Sequence, residues 1–330
     1  MATYIRRREL ISTLCGAAAW PLVARAQQRQ MPVIGVLYSV SAAQWTEQMA
    51  GFHQGLRETG YVAGRNVAIE YRWADNQIDR LPAMIADLVG RKVGVILVGG
   101  NVSGVRATIA ATQSIPIVFT TATDPVATGL VRSLNHPGSN VTGATFMGDQ
   151  LGPKHLELLH EVLPAVTRFA VLVNPENPVT SRDAIQAAEA AAPRLGLEFI
   201  IVRAAADSET ETAFTTAVRE HAAAITMNDA FFANRREQIG ALGLRHMLPV
   251  IAGEQMALTT GVLMSYGAKI PDTYRQAGIY VGRILKGEKP GELPVLQPTK
   301  FELIVNLKTA KALGLKIAET FLVRADEVVE

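Results

Sequence analysis

The chain has 330 residues, 48% of them apolar, with 32 basic and 30 acidic side chains and a single cysteine. That length and apolar content support two domains, each with its own core. A charge balance this close to neutral excludes the electrostatic footprint of a nucleic-acid binder, and one cysteine excludes a disulfide framework.

The N-terminus reads as a cleavable export signal. Arg6, Arg7 and Arg8 form a positive region, Leu10 to Val23 is apolar, and Ala24-Arg25-Ala26 is a small-x-small cleavage site. Residues 1–26 are therefore expected to be removed, with Gln27 first in the mature chain. Arg7-Arg8-Glu9-Leu10-Ile11 fits the twin-arginine pattern, and a Sec signal with an extra arginine is the alternative. The apolar run is shorter than the roughly 20 residues that span a bilayer. Cys15 lies inside that run rather than at its end, so a soluble, periplasmic product is expected rather than a lipid-anchored one. Cleavage removes four arginines, one glutamate and the cysteine. The remainder carries 28 basic and 29 acidic residues, a net charge of −1.

Beyond the leader, β-branched runs alternate with amphipathic stretches. Strands are expected at Val33–Tyr38, Val67–Trp73, Val93–Gly99, Ile117–Thr120 and Val141–Phe146, and helices at Glu47–Thr59, Leu81–Arg91, Ser103–Thr112 and Ala127–Leu134. The pattern then restarts. Helices are expected at Pro153–Leu163, Val179–Leu195, Glu209–Glu220 and Asn234–His246. Strands are expected at Arg168–Val173, Leu197–Val202, Ala223–Met227, Pro249–Ala252 and Leu263–Tyr266. A helix at Thr273–Leu285, a strand at Leu303–Val305 and a short helix at Thr309–Leu313 follow, too few for a third domain. Strands and helices alternating at this spacing predict an α/β fold of two Rossmann-like lobes with parallel sheets, joined by more than one crossing of the chain.

Ligands of open parallel sheets bind beyond the C-terminal strand ends. The loops there are polar: Ser39 to Ser41, Gly99 to Ser103, and Thr120 to Pro125 in the first half; Asn174 to Pro178, Asn228 to Phe231, and Gly253-Glu254 in the second. Ser103 is expected to cap the helix after the Gly99-Gly100 pair, whose N-terminus suits a carboxylate. Asp229 or Glu254 would meet an ammonium group, and Phe231, Trp45 or Tyr266 would stack on an apolar part. The alternatives are structural: Ser103, Thr123 and Asp124 as helix caps, Phe231 and Phe232 as core, and the Asn-Pro pairs at 174 and 177 as turn punctuation. The six histidines show no metal-ligand spacing, and neither a Walker motif nor a Gly-x-Ser-x-Gly elbow occurs. No cofactor, metal or catalytic residue is expected.

The chain resembles the substrate-binding proteins of ABC importers. The resemblance rests on Gly55-Leu56-x-Glu58-x-Gly60-Tyr61, Asn66-Val67-x-Ile69-Glu70-Tyr71-Arg72-Trp73-Ala74 and Ile115-Pro116-Ile117-Val118-Phe119. It continues through Pro137-Gly138-x-Asn140-Val141-Thr142-Gly143, Ser265-Tyr266-Gly267, Gly282-Arg283-Ile284-Leu285-Lys286-Gly287 and Pro298-Thr299-Lys300-Phe301-Glu302-Leu303. It implies a type I periplasmic binding fold with a multi-strand hinge. One lobe would comprise residues 32–146 plus 270–292, and the other 147–269 plus 293–330. It also implies a monomer that delivers an amino acid, or another aromatic or carboxylate compound, to importer membrane subunits. By that analogy Ser39, Ser41, Asn101, Ser103, Thr121 and Asp124 hold the ligand backbone, and Asn228 and Asp229 meet its amine. A sensory protein that presents its closed form to a membrane receptor, and a secreted α/β enzyme, are the other functions compatible with such a chain.

Overall fold

The computed structural model describes residues 31–75, 77–253 and 256–330. The signal-peptide expectation for residues 1–26 lies outside them, as does Glu254.

The first half builds a five-stranded sheet from β1 (Val33–Tyr38), β2 (Ala68–Trp73), β3 (Val95–Gly99), β4 (Ile117–Thr121) and β5 (Val141–Thr145). The strand order is β2-β1-β3-β4-β5 and every pairing is parallel. Helices α1 (Thr46–Glu58), α2 (Leu81–Gly90) and α3 (Val102–Ala111) link the strands. The second half supplies α4 (Gly152–Val162), β6 (Arg168–Val173), α5 (Pro178–Ala191), β7 (Glu198–Arg203), α6 (Asp207–Arg219) and β8 (Ile225–Met227). After these come α7 (Ala230–Ala233), α8 (Arg236–Arg245), β9 (Val250–Ala252), β10 (Met264–Ala268), α9 (Ile270–Leu285), β11 (Phe301–Asn306), α10 (Leu307–Ala312), α11 (Glu319–Leu322) and β12 (Glu327–Val329). Its seven strands run in the order β12-β11-β10-β9-β8-β6-β7.

Period-two alternation drives each sheet into the middle of its lobe. On β1, Ile34, Val36 and Tyr38 face Phe52 and Leu56 of α1 and Tyr274 and Val281 of α9. Leu37, on the opposite face, meets Leu81, Ile85 and Leu88 of α2. Both faces of a parallel sheet are thereby dry, as continuous apolar runs demand. The α1–α9 contact is close because Gly55 has no side chain: a Cβ there would lie 1.9 Å from the Arg275 carbonyl oxygen. Helix α1 stops at Gly60, whose φ of 88° suits glycine. The Gly60 N–H donates to the Arg57 carbonyl at 2.9 Å and the Tyr61 N–H to that of Leu56 at 3.0 Å, which closes the last turn.

Two expectations change. Residues 127–134 form turns, not a helix. Asp124 Oδ1 accepts from the Val126 and Ala127 N–H groups, but Gly129 at φ 70° diverts the chain before a second turn forms. The second sheet is also not wholly parallel, because β10 and β11 are antiparallel. After β10 the chain crosses to the first lobe as α9 and returns, so β11 enters the sheet from the end at which β10 left. On the way back, residues 293–296 run beside β5. The Leu296 N–H donates to the Gly143 carbonyl at 3.0 Å and Thr145 N–H to that of Leu296 at 2.8 Å. Three connections therefore join the sheets: after β5, after β10 and before β11.

Candidate ligand-binding site

The C-terminal ends of β1, β3 and β4 face those of β6 and β8 across a narrow cleft. Trp45, Asn101, Thr120–Thr123, Phe146 and Tyr274 line it from one side and Asn177, Thr180, Asn228, Asp229 and Ala230 from the other. Its core measures about 40 Å³. It continues into a neighbouring space of about 80 Å³ bounded by Ser39, Asn174 and Phe231, with Asn101, Asn177 and Asp229 common to both. Wider grooves of about 300 and 360 Å³ lie at the outer lip, beside Trp45 and Pro271, and over the hinge, beside Lys269 and Pro298. The convergent polar groups are in the narrow cleft.

The first-lobe wall is aromatic and hydrogen-bonded within itself. Trp45 Nε1 donates to the Tyr274 hydroxyl at 2.8 Å, and Thr120 Oγ1 donates to the same hydroxyl at 3.1 Å. Tyr38 and Thr120 share a further bond of 2.9 Å. The Tyr38 ring lies 5.8 Å from Tyr274 and 6.0 Å from Trp45 by centroids, and Trp45 stands edge-on to Tyr274. Burial pushes the Tyr38 phenol well above its ordinary range, so it stays neutral. The Gly99-Gly100 pair lets this wall close: a Cβ on Gly99 would lie 2.4 Å from Thr120 Oγ1, and one on Gly100 2.2 Å from Ser39 Oγ. Gly100 also holds a φ of 97°.

Beside the aromatic wall is a set of small polar groups. Asn101, not Ser103, caps α3: its Oδ1 accepts from the Gly104 N–H at 2.6 Å. Ser103 is exposed in the first turn of that helix. Thr121 and Thr123 are buried and share a 2.9 Å hydroxyl–hydroxyl bond. The side that a ligand carboxylate would meet is thus the start of α3 with two threonine hydroxyls nearby.

The second-lobe wall centres on Asp229. Extended backbone at φ −150° and ψ 141° carries it out of β8 to cap α7. Its Oδ1 accepts from the Phe231 N–H at 2.8 Å and Asn174 Nδ2 at 3.2 Å; its Oδ2 accepts from Asn177 Nδ2 at 2.8 Å. All three donors are neutral. The nearest cation on the same loop, Arg235, is committed to Asp207 Oδ1 at 2.5 Å and lies over the Phe231 ring at 3.6 Å. Burial raises the Asp229 carboxyl above its ordinary range, opposed by the three hydrogen bonds. An acid held by neutral amides at a cleft surface can still take a cationic partner.

Of the residues singled out from sequence, Ser39, Asn101, Thr121, Asn174, Asn228, Asp229 and Phe231 border the two connected spaces. Ser41, Ser103, Asp124 and Tyr266 do not. Asp124 caps a turn, and Tyr266 stacks on Phe301 at 5.8 Å behind the cleft. Phe231 reaches the smaller space but also belongs to the core under Arg235. Thr120, Thr123 and Asn177 lie in loops the sequence had marked but were not singled out for ligand contact, and Tyr38, Phe146, Thr180 and Tyr274 were missed. Tyr274 is the instructive case: it comes from a helix more than 150 residues beyond Thr120, and only the return crossing places it on the first-lobe wall.

The chain is 27% identical over 284 residues to the "Tyrosine-binding protein" of Clostridioides difficile, covering 86% of this chain and 81% of that one. A conserved domain protein of Vibrio cholerae superposes with a TM-score of 0.80 at 27% identity, covering 91% of this chain and all of its own. An ABC domain from Streptococcus pneumoniae in complex with L-Trp also gives 0.80, at 24% identity, covering 90% of this chain and 99% of its own. The architecture is that of type I periplasmic binding proteins. The family model for "ABC transporter substrate binding protein" matches residues 33–329. The chain belongs to that family of solute-binding proteins.

Proposed function

We propose that this protein is an exported, periplasmic receptor that captures an amino acid with an apolar or aromatic side chain between its two lobes. It then presents the closed form to the membrane subunits of an ABC importer, and it acts as a monomer without catalysis. The observation that carries this reading is Asp229, a carboxylate at the cleft with neutral partners only. A ligand ammonium supplies the missing positive charge. The ligand carboxylate lies against Asn101, Thr121 and the start of α3, and its side chain packs on Trp45, Tyr274 and Phe146. The relatives named for tyrosine binding and solved with L-Trp support a zwitterionic aromatic ligand. The narrowness of the cleft requires the lobes to part for entry. The three connections are the hinge about which they do so, and ligand contacts made to both lobes favour closure.

Mass spectrometry of small molecules released on denaturing the purified protein, followed by calorimetric titration with the L-amino acids, tests the proposal. Micromolar binding, worth about −8 kcal/mol, is expected for at least one aromatic amino acid. Titrations in which no amino acid binds would overturn it.

A further inference from the structure

A second, smaller cavity adjoins the cleft inside the second lobe. It measures about 30 Å³, room for about two waters, and lies between α4, α5 and the C-terminal ends of β6 and β8. Asn228 borders both it and the cleft, so this side chain stands in the partition between them. The cavity walls are mainly apolar, with Leu156, Val171 and Ala188 among them.

Three polar side chains meet at this void. Thr226 is only 7% exposed and has no hydrogen-bond partner among the described residues. Asn228 has none there either. A Cβ on Gly253 would lie 2.4 Å from its Oδ1, so the missing side chain is what admits the carboxamide. His155 is 2% exposed and donates Nε2–H to the Tyr266 carbonyl at 2.7 Å. Burial lowers its imidazole below the ordinary range, which keeps it neutral and leaves Nδ1 as an acceptor. Thr226 and Asn228 are two apart on an extended strand and share a face. Buried polar groups are nearly always hydrogen-bonded; the buried Thr226 hydroxyl and the half-buried Asn228 carboxamide are not, and beside an apolar void they point to a partner from outside the chain.

The chemistry of that partner follows from the lining. The cavity has no charged side chain, so it does not suit a second carboxylate or ammonium. A neutral hydroxyl fits: it can exchange hydrogen bonds with Thr226 or Asn228, and His155, which also lines the cavity, brings no charge.

We propose that this cavity is a specificity subsite that receives the uncharged, hydroxyl-bearing end of the ligand's side chain. The inference rests on the amino-acid reading of the cleft, with the ammonium at Asp229. It separates hydroxylated from plain apolar side chains, which the cleft walls alone do not.

L-tyrosine and L-phenylalanine, which differ by one hydroxyl, are the probes. Each is titrated calorimetrically into the wild-type protein and into Thr226→Val and Thr226→Ser, with thermal unfolding of each variant as the control for folding. The wild type is expected to prefer tyrosine. Thr226→Val should reduce that preference by about fivefold to tenfold, the size of one neutral buried hydrogen bond, without weakening phenylalanine. Thr226→Ser should retain it. Equal binding of the two probes to wild type, or a preference that survives in Thr226→Val, would mean that water fills the cavity; the subsite is then overturned while the amino-acid reading stands. Binding of neither probe overturns both.

Discussion

The two walls of the cleft are built on opposite plans. On the first-lobe side, Tyr38, Trp45, Thr120 and Tyr274 spend their polar atoms on one another and bury their rings together. On the second-lobe side, Asp229 has only neutral donors, and Asn228 and Thr226 have no partner among the described residues. A self-satisfied wall is rigid and offers shape. A wall with unmet electrostatic demand offers selectivity, because a ligand gains most where the protein cannot satisfy itself. Substitutions in the first wall should therefore act on stability, and substitutions in the second on binding.

The strongest disruption of the first wall is expected from the helix contact that holds it. Gly55→Ala forces a methyl group into the Arg275 carbonyl and pries α9, with Tyr274, from α1. Unfolding free energy should fall by about 3 kcal/mol, measured by urea denaturation. A stability equal to wild type would show that the two helices have slack.

The largest effect in the second wall is expected from Asp229→Asn. Amino-acid affinity should drop about 100-fold, the scale for removing one partner of a desolvated ion pair, while the melting temperature stays level or rises. A variant that binds as tightly as wild type would remove Asp229 from the site. Tyr274→Phe should show the converse. It strips the acceptor from Trp45 Nε1 and should cost about 1–2 kcal/mol of stability, followed by tryptophan fluorescence during denaturation. A loss confined to ligand affinity would contradict the division between the walls.

The smallest effect is in pH. Protonating Asp229 removes the charge that an ammonium meets. Because burial raises this carboxyl above 3.8, affinity should weaken on acidification sooner than for an ordinary aspartate. Stability runs the other way. The folded state holds this proton more tightly than the unfolded one, so the contribution of Asp229 is fully present below the unfolded value and is lost as pH rises through the folded value. Titrations from pH 7 down to about pH 4 on wild type and Asp229→Asn should differ in slope only through this group.

Legibility in the sequence followed the range of the forces involved. Strand β6 matches its expected span residue for residue, because RFAVLV is a short β-branched run with only one way to bury itself. Helix α1 matches within one residue at each end, because its apolar stripe and Gly60 act locally. The Ala127–Leu134 helix failed on one backbone angle at Gly129, which apolar periodicity does not register. At the cleft, the sequence pointed to Asp229 and Asn101 because polar residues at strand ends stand out. Their roles needed geometry: Asn101 took the cap expected of Ser103, since its extended backbone at φ −151° aims the carboxamide back at the Gly104 N–H.

By itself the sequence determined the two α/β repeats and the placement of polar loops at strand ends. Each of these follows from interactions within a few residues of one another: alternation, helical periodicity and turn chemistry. Only the tertiary structure decided that Tyr274 joins Trp45 and Thr120, that β11 runs against β10, and that Thr226 and His155 share a cavity behind Asn228. Those pairings span from 71 to 229 positions or turn on the direction in which the chain re-enters a sheet. They are fixed by packing two lobes around three crossings, and no local pattern encodes that.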